Sequence, residues 1–572
     1  MALNLAKLNQ AALEGLRQHC TSRLETMRAY RWSWWGHWAA LAEMFLPRRY
    51  RWFVTPNQWS RGAQLNQSIV DETGVLAARV LSTGLLSGLT SPTKPWFRLG
   101  VMGQDDIPQG PVQDWLEDCT QRMLDVYAKS NFYTAMGTAN HDNVVFGSAA
   151  MIQYEDVDSV VHFCNPCLGE FFFGLSATLE VDTLYREYTY TVSEAVKEFG
   201  IDALSPGTAQ MARSAANLDT EIVVCHAIEP NDTVYCGGVP IAPVVPSRFK
   251  FREVYWEQSG PSGQKGGFIL RLSGFREKPF AGFRWDVTSN DAYGRSPGMD
   301  ALPATRQLQI EQRRKAEAID KMVRPPMVGS VSMKNEPMDI LPGGVTYVSD
   351  PAAAGFKPAY TVEPRIGEMM EDLKEVQGRV QRVFFNDLFL GISQLGTVRT
   401  ATEIIARQQE TLVQIGPVIE RTEAELDTVV QRTFNIMLRR GLFPPVPPEL
   451  AGKALSVNYV SMFAETQRAA ATTAIERLLA LVGGLVGVDP SALDNVNLDK
   501  LIDTYATELN VPPDLLRSVK EINVLRQQRA TQQQQQQALQ TGTALAQGAQ
   551  TLSQTPVGAG KSALQMMLGN AQ

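Results

Sequence analysis

The fold is decided by the stretch YGRSPGMDALPATRQLQIEQRRKAEAIDKMVRPP, which runs from Tyr293 to Pro326. It predicts a long helix, because one stripe of residues recurs at helical spacing, namely Leu308, Gln312, Ala316, Ile319 and Met322. Pro325 and Pro326 end the helix, since proline has no N–H to donate and clashes with the preceding turn. At a rise of about 1.5 Å per residue, the helix should be roughly 35–40 Å long.

A second long helix is predicted to start near Ile366, and its stripe comprises Ile366, Met369, Leu373, Val376, Val380, Val383 and Asp387. Between the two helices, residues 327–364 contain short apolar runs separated by Pro-Gly-Gly and Asp-Pro, which favours a small β-rich element. The loop GISQLGTVRT follows the second helix, and a third helix begins at Thr400. Gly416-Pro417 is expected to kink or break this third helix.

The N-terminal half of the chain mixes helices with strands. Residues 5–30 have the pattern of an amphipathic helix. The Trp-rich segment that follows favours aromatic packing in the core, and an interfacial membrane belt is the alternative. From Ala149 the pattern changes to short strands, in the runs AAMIQYE, VVHFC, EFFFGL and TLYREYTYT. This half is therefore predicted to be α+β.

Four segments resemble the head-to-tail connector, or portal, family of short-tailed bacteriophages. Two lie upstream, NQSIVDETGVLAARVLSTGLLSGLTSPTKPWFRLG at 66–100 and FCNPCLGEFFFGLSATLEVDTLYREYTYTVSEAVKEFG at 163–200. Two surround the long helices, RWDVTSNDAYGRSPGMDALPATRQLQIEQRRKAEAIDKMVRPPM at 284–327 and RVQRVFFNDLFLGISQLGTVRTATEIIARQQETLVQIGPVIERTEAELDTVVQRTF at 379–434. The segments keep their order along the chain, so the resemblance covers most of it.

The resemblance implies a mainly α-helical ring subunit, commonly one of twelve, with an α+β wing, a two-helix stem, a β-containing clip and a helical crown. Carried onto this sequence, it gives an N-terminal α/β wing at 1–297, a first stem helix at 298–325, a clip at 326–364, a second stem helix at 365–390, a channel (tunnel) loop at 391–400, a kinked wing helix at 401–450 and a helical crown at 451–525. The Gln/Ala-rich, low-complexity tail at 526–572 is expected to be disordered or to join a helical barrel.

The resemblance also directs attention to three sets of residues. The channel loop, which approaches DNA in the family, contributes Gln394, Thr397 and Arg399. The clip, which contacts partner proteins, contributes Met338, Leu341, Pro342 and Tyr347. The first stem helix has a charged face formed by Arg306, Arg313, Arg314, Lys321 and Arg324. These side chains are expected either to form ion pairs within and between subunits or to meet the DNA backbone.

The composition restricts the class of protein. The chain is 44% hydrophobic and 20% charged, which is ordinary globular composition, and its formal net charge is −7. Proteins that hold DNA tightly by its phosphates are usually basic, so the acidic balance suits a conduit through which DNA slides. No apolar run reaches the roughly 20 residues that span a bilayer. Six Cys in a chain of this length indicate folding in a reducing cytosol, and the resemblance implies that this is the host bacterial cytoplasm.

Signatures of catalysis and cofactor binding are weak. The run GAGKS at 558–562 lacks the earlier Gly of a phosphate-binding loop, because Thr555 stands there, and its flanks are of low complexity. The elements of a zinc site are present in His162, Cys164, Cys167, Cys225, His226 and Cys236. A single CxxC pair nevertheless favours buried or strand-end cysteines. No HExxH or G-x-S-x-G motif occurs, so we predict no enzyme, no cofactor and no metal.

The sequence thus predicts a phage portal that forms a ring at one capsid vertex, through which double-stranded DNA is packaged and later ejected, and which joins head to tail. The implied partners are further copies of the chain, the terminase large subunit, tail adaptor or head-completion proteins, the major capsid and scaffolding proteins, and double-stranded DNA bound non-specifically. The implied location is the portal vertex of the virion. The alternatives are a packaging or ejection enzyme (nuclease or ATPase) and a tail or ejection pore component.

Overall fold

The computed structural model describes residues 10–53, 66–102, 110–236, 239–241, 243–258, 268–325, 327–328, 357–358, 365–390, 401–450, 455–460, 475–482, 501–502, 505 and 519–554. The chain forms two compact units. The first consists of Met1–Leu99, Cys119–Pro444 and Val457–Gln467. The second consists of Gly100–Asp118, Pro445–Ser456 and Arg468–Gln572.

Helices make up most of the described chain. In chain order they are α1 Gln10–Phe45, α2 Pro47–Tyr50, α3 Thr73–Leu89, α4 Pro111–Lys129, α5 Phe132–Phe146, α6 Val192–Phe199, α7 Pro206–Ala212, α8 Pro297–Val323, α9 Ile366–Val383, α10 Asn386–Leu390, α11 Ala401–Arg439 and α12 Val519–Gln554. Residues 475–482 are also helical. Within these described helices, none combines the length and the apolar composition needed to cross a bilayer.

The strands are β1 Phe97–Val101, β2 Ser148–Asp156, β3 Val160–Cys164, β4 Phe171–Leu175, β5 Val181–Thr191, β6 Glu221–Pro230, β7 Val234–Cys236, β8 Val239–Ile241, β9 Phe251–Glu257, β10 Ile269–Phe275, β11 Phe280–Arg284, β12 Met327–Val328, β13 Lys357–Pro358 and β14 Leu455–Tyr459. Five form one sheet in the order β10-β9-β6-β5-β4, and three form another in the order β11-β2-β3. The pairs β1-β14, β7-β8 and β12-β13 form smaller sheets.

The five-stranded sheet is antiparallel throughout, which lets consecutive strands join by short turns. Its register is set by apolar pairs such as Leu184 opposite Ile228 and Ala227 opposite Val254. The mainly helical architecture with an α+β N-terminal half, predicted from the sequence, is confirmed.

Helix α1 holds the first unit together by packing along two cores. Its N-terminal half contributes Leu13, Leu16, Cys20 and Leu24 to a core on the five-stranded sheet. Its C-terminal half contributes Trp38, Leu41 and Phe45 to the main core, where they meet α3, α5 and α8. Trp38 is fully buried, as aromatic core packing requires, whereas Trp32 is 72% exposed.

Two helices differ from the sequence predictions in extent. Helix α11 is continuous from Ala401 to Arg439 with Pro417 inside it, so the predicted alternative of a break there is wrong. The second long helix ends at Val383, because Phe385 adopts a positive φ of 52°, and a short α10 follows. A phenylalanine in this left-handed region interrupts helical hydrogen bonding.

Candidate functional site

The segment Tyr293–Met299 anchors the start of α8 in the main core. Tyr293 is 1% exposed and meets the edge of Trp38, with ring centroids 4.9 Å apart. Ser296 caps the helix, since its Oγ accepts a hydrogen bond from Met299 N at 3.1 Å. The same hydroxyl donates to Val145 O at 2.6 Å, which ties the helix start to the end of α5.

Two glycines allow the backbones of α5 and α8 to touch. A Cβ on Gly298 would lie 2.6 Å from Val145 O and 3.1 Å from Val145 Cα. A Cβ on Gly294 would clash with Gly147 O, and Gly294 N donates to Ser148 Oγ at 2.9 Å. The motif YGRSPG is therefore a backbone-to-backbone joint that fixes the position of α8.

A glutamine clamp joins α8 to the segment before α3. Gln309, which is 5% exposed, accepts hydrogen bonds at Oε1 from Val70 N at 2.7 Å and Asp71 N at 2.8 Å. Its Nε2 donates to Asp71 O at 2.8 Å. From α9, Gln377 Nε2 donates to Asp71 Oδ2 at 2.9 Å. Both long helices thus bind Asp71.

The helices α8 and α9 pack through a small apolar contact of Leu308 with Leu373 and Val376. In α9, Leu373, Val376 and Val380 are buried, in line with the predicted stripe. In α8 the stripe beyond Leu308 behaves differently, because Gln312 is half-buried while Ala316, Ile319 and Met322 are exposed. After Gln309 the described part of α8 has no buried residue.

The five predicted stem cations are all exposed and share one face of α8. At 3.6 residues per turn they fall in a sector about 100° wide around Ile310. Within the part of the chain that the structure describes, none of them forms an ion pair. Among the described residues, the predicted pairing within the helix is therefore not seen for Arg306, Arg313, Arg314, Lys321 and Arg324.

The other predicted site residues lie outside the described residues. This applies to the channel-loop residues Gln394, Thr397 and Arg399, and to the clip residues Met338, Leu341, Pro342 and Tyr347. The described neighbours of the loop are α10 and α11. The ring of Phe389 on α10 occupies the space that a side chain at Gly84 on α3 would need. This close contact holds the chain just before residue 391 against α3.

Ionisable groups are also buried in the five-stranded sheet, where they pair. Glu229 Oε1 accepts from Arg252 Nε at 2.7 Å, and its Oε2 accepts from Tyr185 OH at 2.8 Å. Sequence reasoning missed this pair, because β6 and β9 place the two residues opposite each other only in the folded sheet. His226, from the candidate zinc set, instead lies 3.1 Å from Glu253. Among the described residues, no three His, Cys, Asp or Glu side chains are grouped to hold a metal ion.

A half-buried carboxyl pair lies on α11. Burial and, to a smaller extent, the neighbouring Asp427 and Glu420 together raise the pKa of Glu423 to about 7. Burial likewise raises the pKa of Asp427, although Tyr459 OH donates to its Oδ1 at 2.7 Å. Ionised Glu423 therefore disfavours the folded state at alkaline pH.

We expect Glu423→Gln to change the pH dependence of stability. The folded pKa lies above the unfolded value, so the contribution of protonated Glu423 to stability is fully present below pH 4.5 and is lost as pH rises through about 7. After allowance for solvent screening, the variant should gain roughly 1 kcal/mol relative to wild type between pH 5 and pH 8. Urea unfolding at a fixed protein concentration measures this difference. A difference that stays constant over that range contradicts the assignment.

Comparison with known proteins places this architecture in a family. The sequence pattern of the family described as "Bacteriophage head to tail connecting protein" matches residues 17–516. The portal protein of Salmonella phage epsilon15 is 35% identical over 544 residues, which cover 94% of this chain and 96% of that protein. The probable portal protein of Bordetella phage BPP-1 is 37% identical over 540 residues, which cover 94% of each chain.

Solved structures from gene transfer agent particles are also similar, at lower sequence identity than the two portal proteins. A chain from the virion of the native particle gives a TM-score of 0.35 at 11% identity, covering 72% of this chain and 86% of that chain. A chain from the neck of the native particle, computed with C12 symmetry, gives 0.33 at 12% identity, covering 72% and 87%. The assignment depends on the sequence relatives, whose match extends over nearly the whole chain: the protein belongs to the bacteriophage head-to-tail connecting protein family.

Proposed function

We propose that this protein is the portal of a phage head, a closed ring of about twelve copies at one capsid vertex. Double-stranded DNA enters through the ring during packaging and leaves through it during ejection. The observation that carries the proposal is the match to two portal proteins over 94% of the chain. The ring also joins the head to the tail, as the family description states for its members.

The exposed half of α8 supports assembly into a ring. Ile310, Ile319, Met322 and Val323 are 51%, 36%, 46% and 67% exposed. Apolar side chains exposed along one element are typical of surfaces that an assembly covers. A heterologous contact repeated by rotation closes into a ring, so each subunit would cover the stem of the next.

We propose a structural role in packaging, with ATP hydrolysis supplied by another protein. The clip, residues 326–364, would meet the terminase large subunit during filling and tail adaptor or head-completion proteins afterwards. The wing would contact the major capsid and scaffolding proteins during assembly in the bacterial cytoplasm. The net charge of −7 supports passage of DNA without tight binding. Turnover of ATP or cleavage of DNA by the isolated chain would favour the enzyme alternative.

Native mass spectrometry combined with electron-microscope class averages tests the proposed ring. The expected result is a closed oligomer of about a dozen subunits with a central hole. A dimer or another small oligomer without a hole contradicts the proposal. Flotation of the purified chain with liposomes would instead favour the ejection-pore alternative.

The channel loop gives a separate prediction. If residues 391–400 approach DNA, Arg399→Glu should impair DNA packaging or retention at least about tenfold while rings still assemble. The measurements are packaged DNA per particle and the fraction of subunits in rings. Arg213→Glu, an exposed substitution in the wing, is the matched control. Equal losses of assembly and packaging would show that the loop does not act in the channel.

A further inference from the structure

Tyr459 joins β14 to the middle of α11. Its hydroxyl oxygen lies 2.9 Å from Glu423 O and 2.7 Å from Asp427 Oδ1. The ring of Tyr459 stacks on Trp96, which is 1% exposed, with ring centroids 6.3 Å apart. The next residue, Val460, donates its amide hydrogen to Trp96 O at 2.8 Å. One side chain therefore connects α11 to the end of β14 and to the aromatic core around Trp96.

The hydroxyl of Tyr459 has one proton and two oxygen atoms within hydrogen-bond distance. A proton on Asp427 satisfies both contacts, because Asp427 then donates to Tyr459 and Tyr459 donates to Glu423 O. A proton on Glu423 instead leaves the Tyr459 hydroxyl to donate to Asp427, and it removes one of the two negative charges. A single proton shared by the two carboxyls therefore stabilises this contact in either position.

The charges on α11 also favour one shared proton. Glu423 and Asp427 are both half-buried and lie on one face of α11, one helical turn apart. Glu420 adds a third acid close to Glu423. Among the described residues, neither Glu423 nor Asp427 forms an ion pair. Two negative charges in a half-buried site repel each other, so one carboxyl tends to keep its proton.

Ionisable groups of the neighbouring elements do not neutralise the two carboxyls. Two cations bind other acids, in the pairs Lys278 with Glu425 and Arg421 with Asp286. Glu425 and Arg421 lie on the side of α11 that faces away from Glu423, at about 100° per residue. On α4, Tyr127 lies beside Tyr459 and stays neutral, because burial raises its pKa. The charge at this site is therefore controlled by the protonation of Glu423 and Asp427.

We propose that Glu423, Asp427 and Tyr459 form a proton-operated latch between α11 and β14. With one proton on the two carboxyls, Tyr459 is held and the latch is closed. When both carboxyls are ionised, their repulsion weakens the hold on Tyr459 and the latch opens. The chain returns from the second unit to the first at Val457, inside β14, so opening loosens the strand at that point. The latch goes beyond the proposed portal function and does not depend on it.

The direction of the pH dependence follows from the pKa values. The pKa of Glu423 is about 7 in the closed latch, compared with an ordinary value of 4.5, and burial raises the pKa of Asp427 as well. A carboxyl whose pKa is raised in the closed state favours that state below its ordinary pKa and loses this contribution as pH rises through the raised value. The latch is therefore expected to open between about pH 6 and about pH 8.

Hydrogen exchange of the Val460 amide in the full-length chain tests the latch. Protection is expressed relative to the rate of an unstructured amide at the same pH, which removes the intrinsic pH dependence of exchange. We expect the protection of Val460 to fall at least about threefold from about pH 6 to about pH 8, after allowance for solvent screening. The amide of Ala227, in the middle of the five-stranded sheet, should keep its protection.

Four variants separate the latch from a general change in stability. Glu423→Gln and Asp427→Asn each leave at most one charge on the pair, so Val460 should stay protected up to about pH 8. Tyr459→Phe keeps the ring but removes the hydroxyl, so Val460 should be weakly protected at both pH values. Glu25→Gln, which changes an exposed carboxyl on α1, should retain the pH dependence of the wild type.

Three results would overturn the assignment. Constant protection of Val460 in the wild type over this pH range shows that no latch opens. A fall that persists in both Glu423→Gln and Asp427→Asn assigns the titration to another group. Wild-type protection in Tyr459→Phe shows that the hydroxyl does not hold the strand. If Tyr459→Phe does not fold, as judged by circular dichroism, the two carboxyl variants still decide the outcome.

Discussion

Replacing Gly298 with alanine is expected to destabilise the protein by about 2 kcal/mol, although alanine is the better helix former. The added methyl would lie 2.6 Å from Val145 O, and this oxygen already accepts a hydrogen bond from Ser296. Because the obstacle is backbone, relief requires moving the end of α5 or the start of α8. Either movement disturbs the contact between Gly298 and Val145, which sets the direction of α8.

Gly378→Ala is the matched control for this prediction. Gly378 also lies inside a stem helix, but a Cβ there would meet nothing within 4 Å. Its replacement should stabilise the protein by up to about 1 kcal/mol, through helix propensity alone. Urea unfolding at one protein concentration compares the two variants, since assembly makes apparent stability depend on concentration. Changes of the same sign would show that the backbone contact at Gly298 is not tight.

The long helices were predictable because their periodic patterns are local. Proline stops and the apolar stripe located α8 and α9, and Leu373, Val376 and Val380 are buried as their spacing indicates. Periodicity identifies a face of a helix, but it does not show what covers that face. The stripe of α8 beyond Leu308 is therefore largely exposed, although its spacing is as regular as that of the buried stripe of α9.

The features that position the stem could not be predicted from local patterns. The role of Gly298 depends on α5, which ends 152 residues earlier at Phe146, so no local pattern around Gly298 reveals it. The end of α9 at Val383 could not be predicted either, because a phenylalanine such as Phe385 rarely adopts a positive φ. Such positions are fixed by tertiary contacts that override local propensity.

Helix α8 has two parts, of which the first is packed against the rest of the protein and the second is exposed. From Pro297 to Gln309 the helix is buried against α1, α3 and α5, and Ser296 and Gln309 bind backbone atoms of other segments. From Ile310 onward it carries exposed apolar side chains and four of the five residues of the basic face, all except Arg306. The first part of α8 is therefore held by the rest of the described chain, whereas the second part is held only by the helix itself and its contact with α9. Loss of the contacts of the first part should therefore affect stability first and assembly second.

Among the predicted changes in unfolding free energy, the largest is expected when the hydrogen bonds of Gln309 are removed. Gln309→Leu removes three hydrogen bonds and leaves Val70 N, Asp71 N and Asp71 O without their partner in a buried site. The expected loss in unfolding free energy is about 4 kcal/mol, because unsatisfied buried groups cost more than the mean value of a hydrogen bond. Local opening should be visible as faster hydrogen exchange of the Val70 and Asp71 amides.

Gln307→Leu provides the comparison, since Gln307 lies on the same helix but is exposed. That variant should change stability by no more than about 0.5 kcal/mol and leave the exchange of both amides unchanged. Gln309→Glu should fall between the two. It keeps an acceptor for both N–H groups, but it loses the donor to Asp71 O and brings a second negative charge beside Asp71. If Gln309→Leu changes the unfolding free energy and the amide exchange no more than Gln307→Leu does, water has replaced the three hydrogen bonds of Gln309. The position of α8 would then depend on the backbone contact at Gly298 alone.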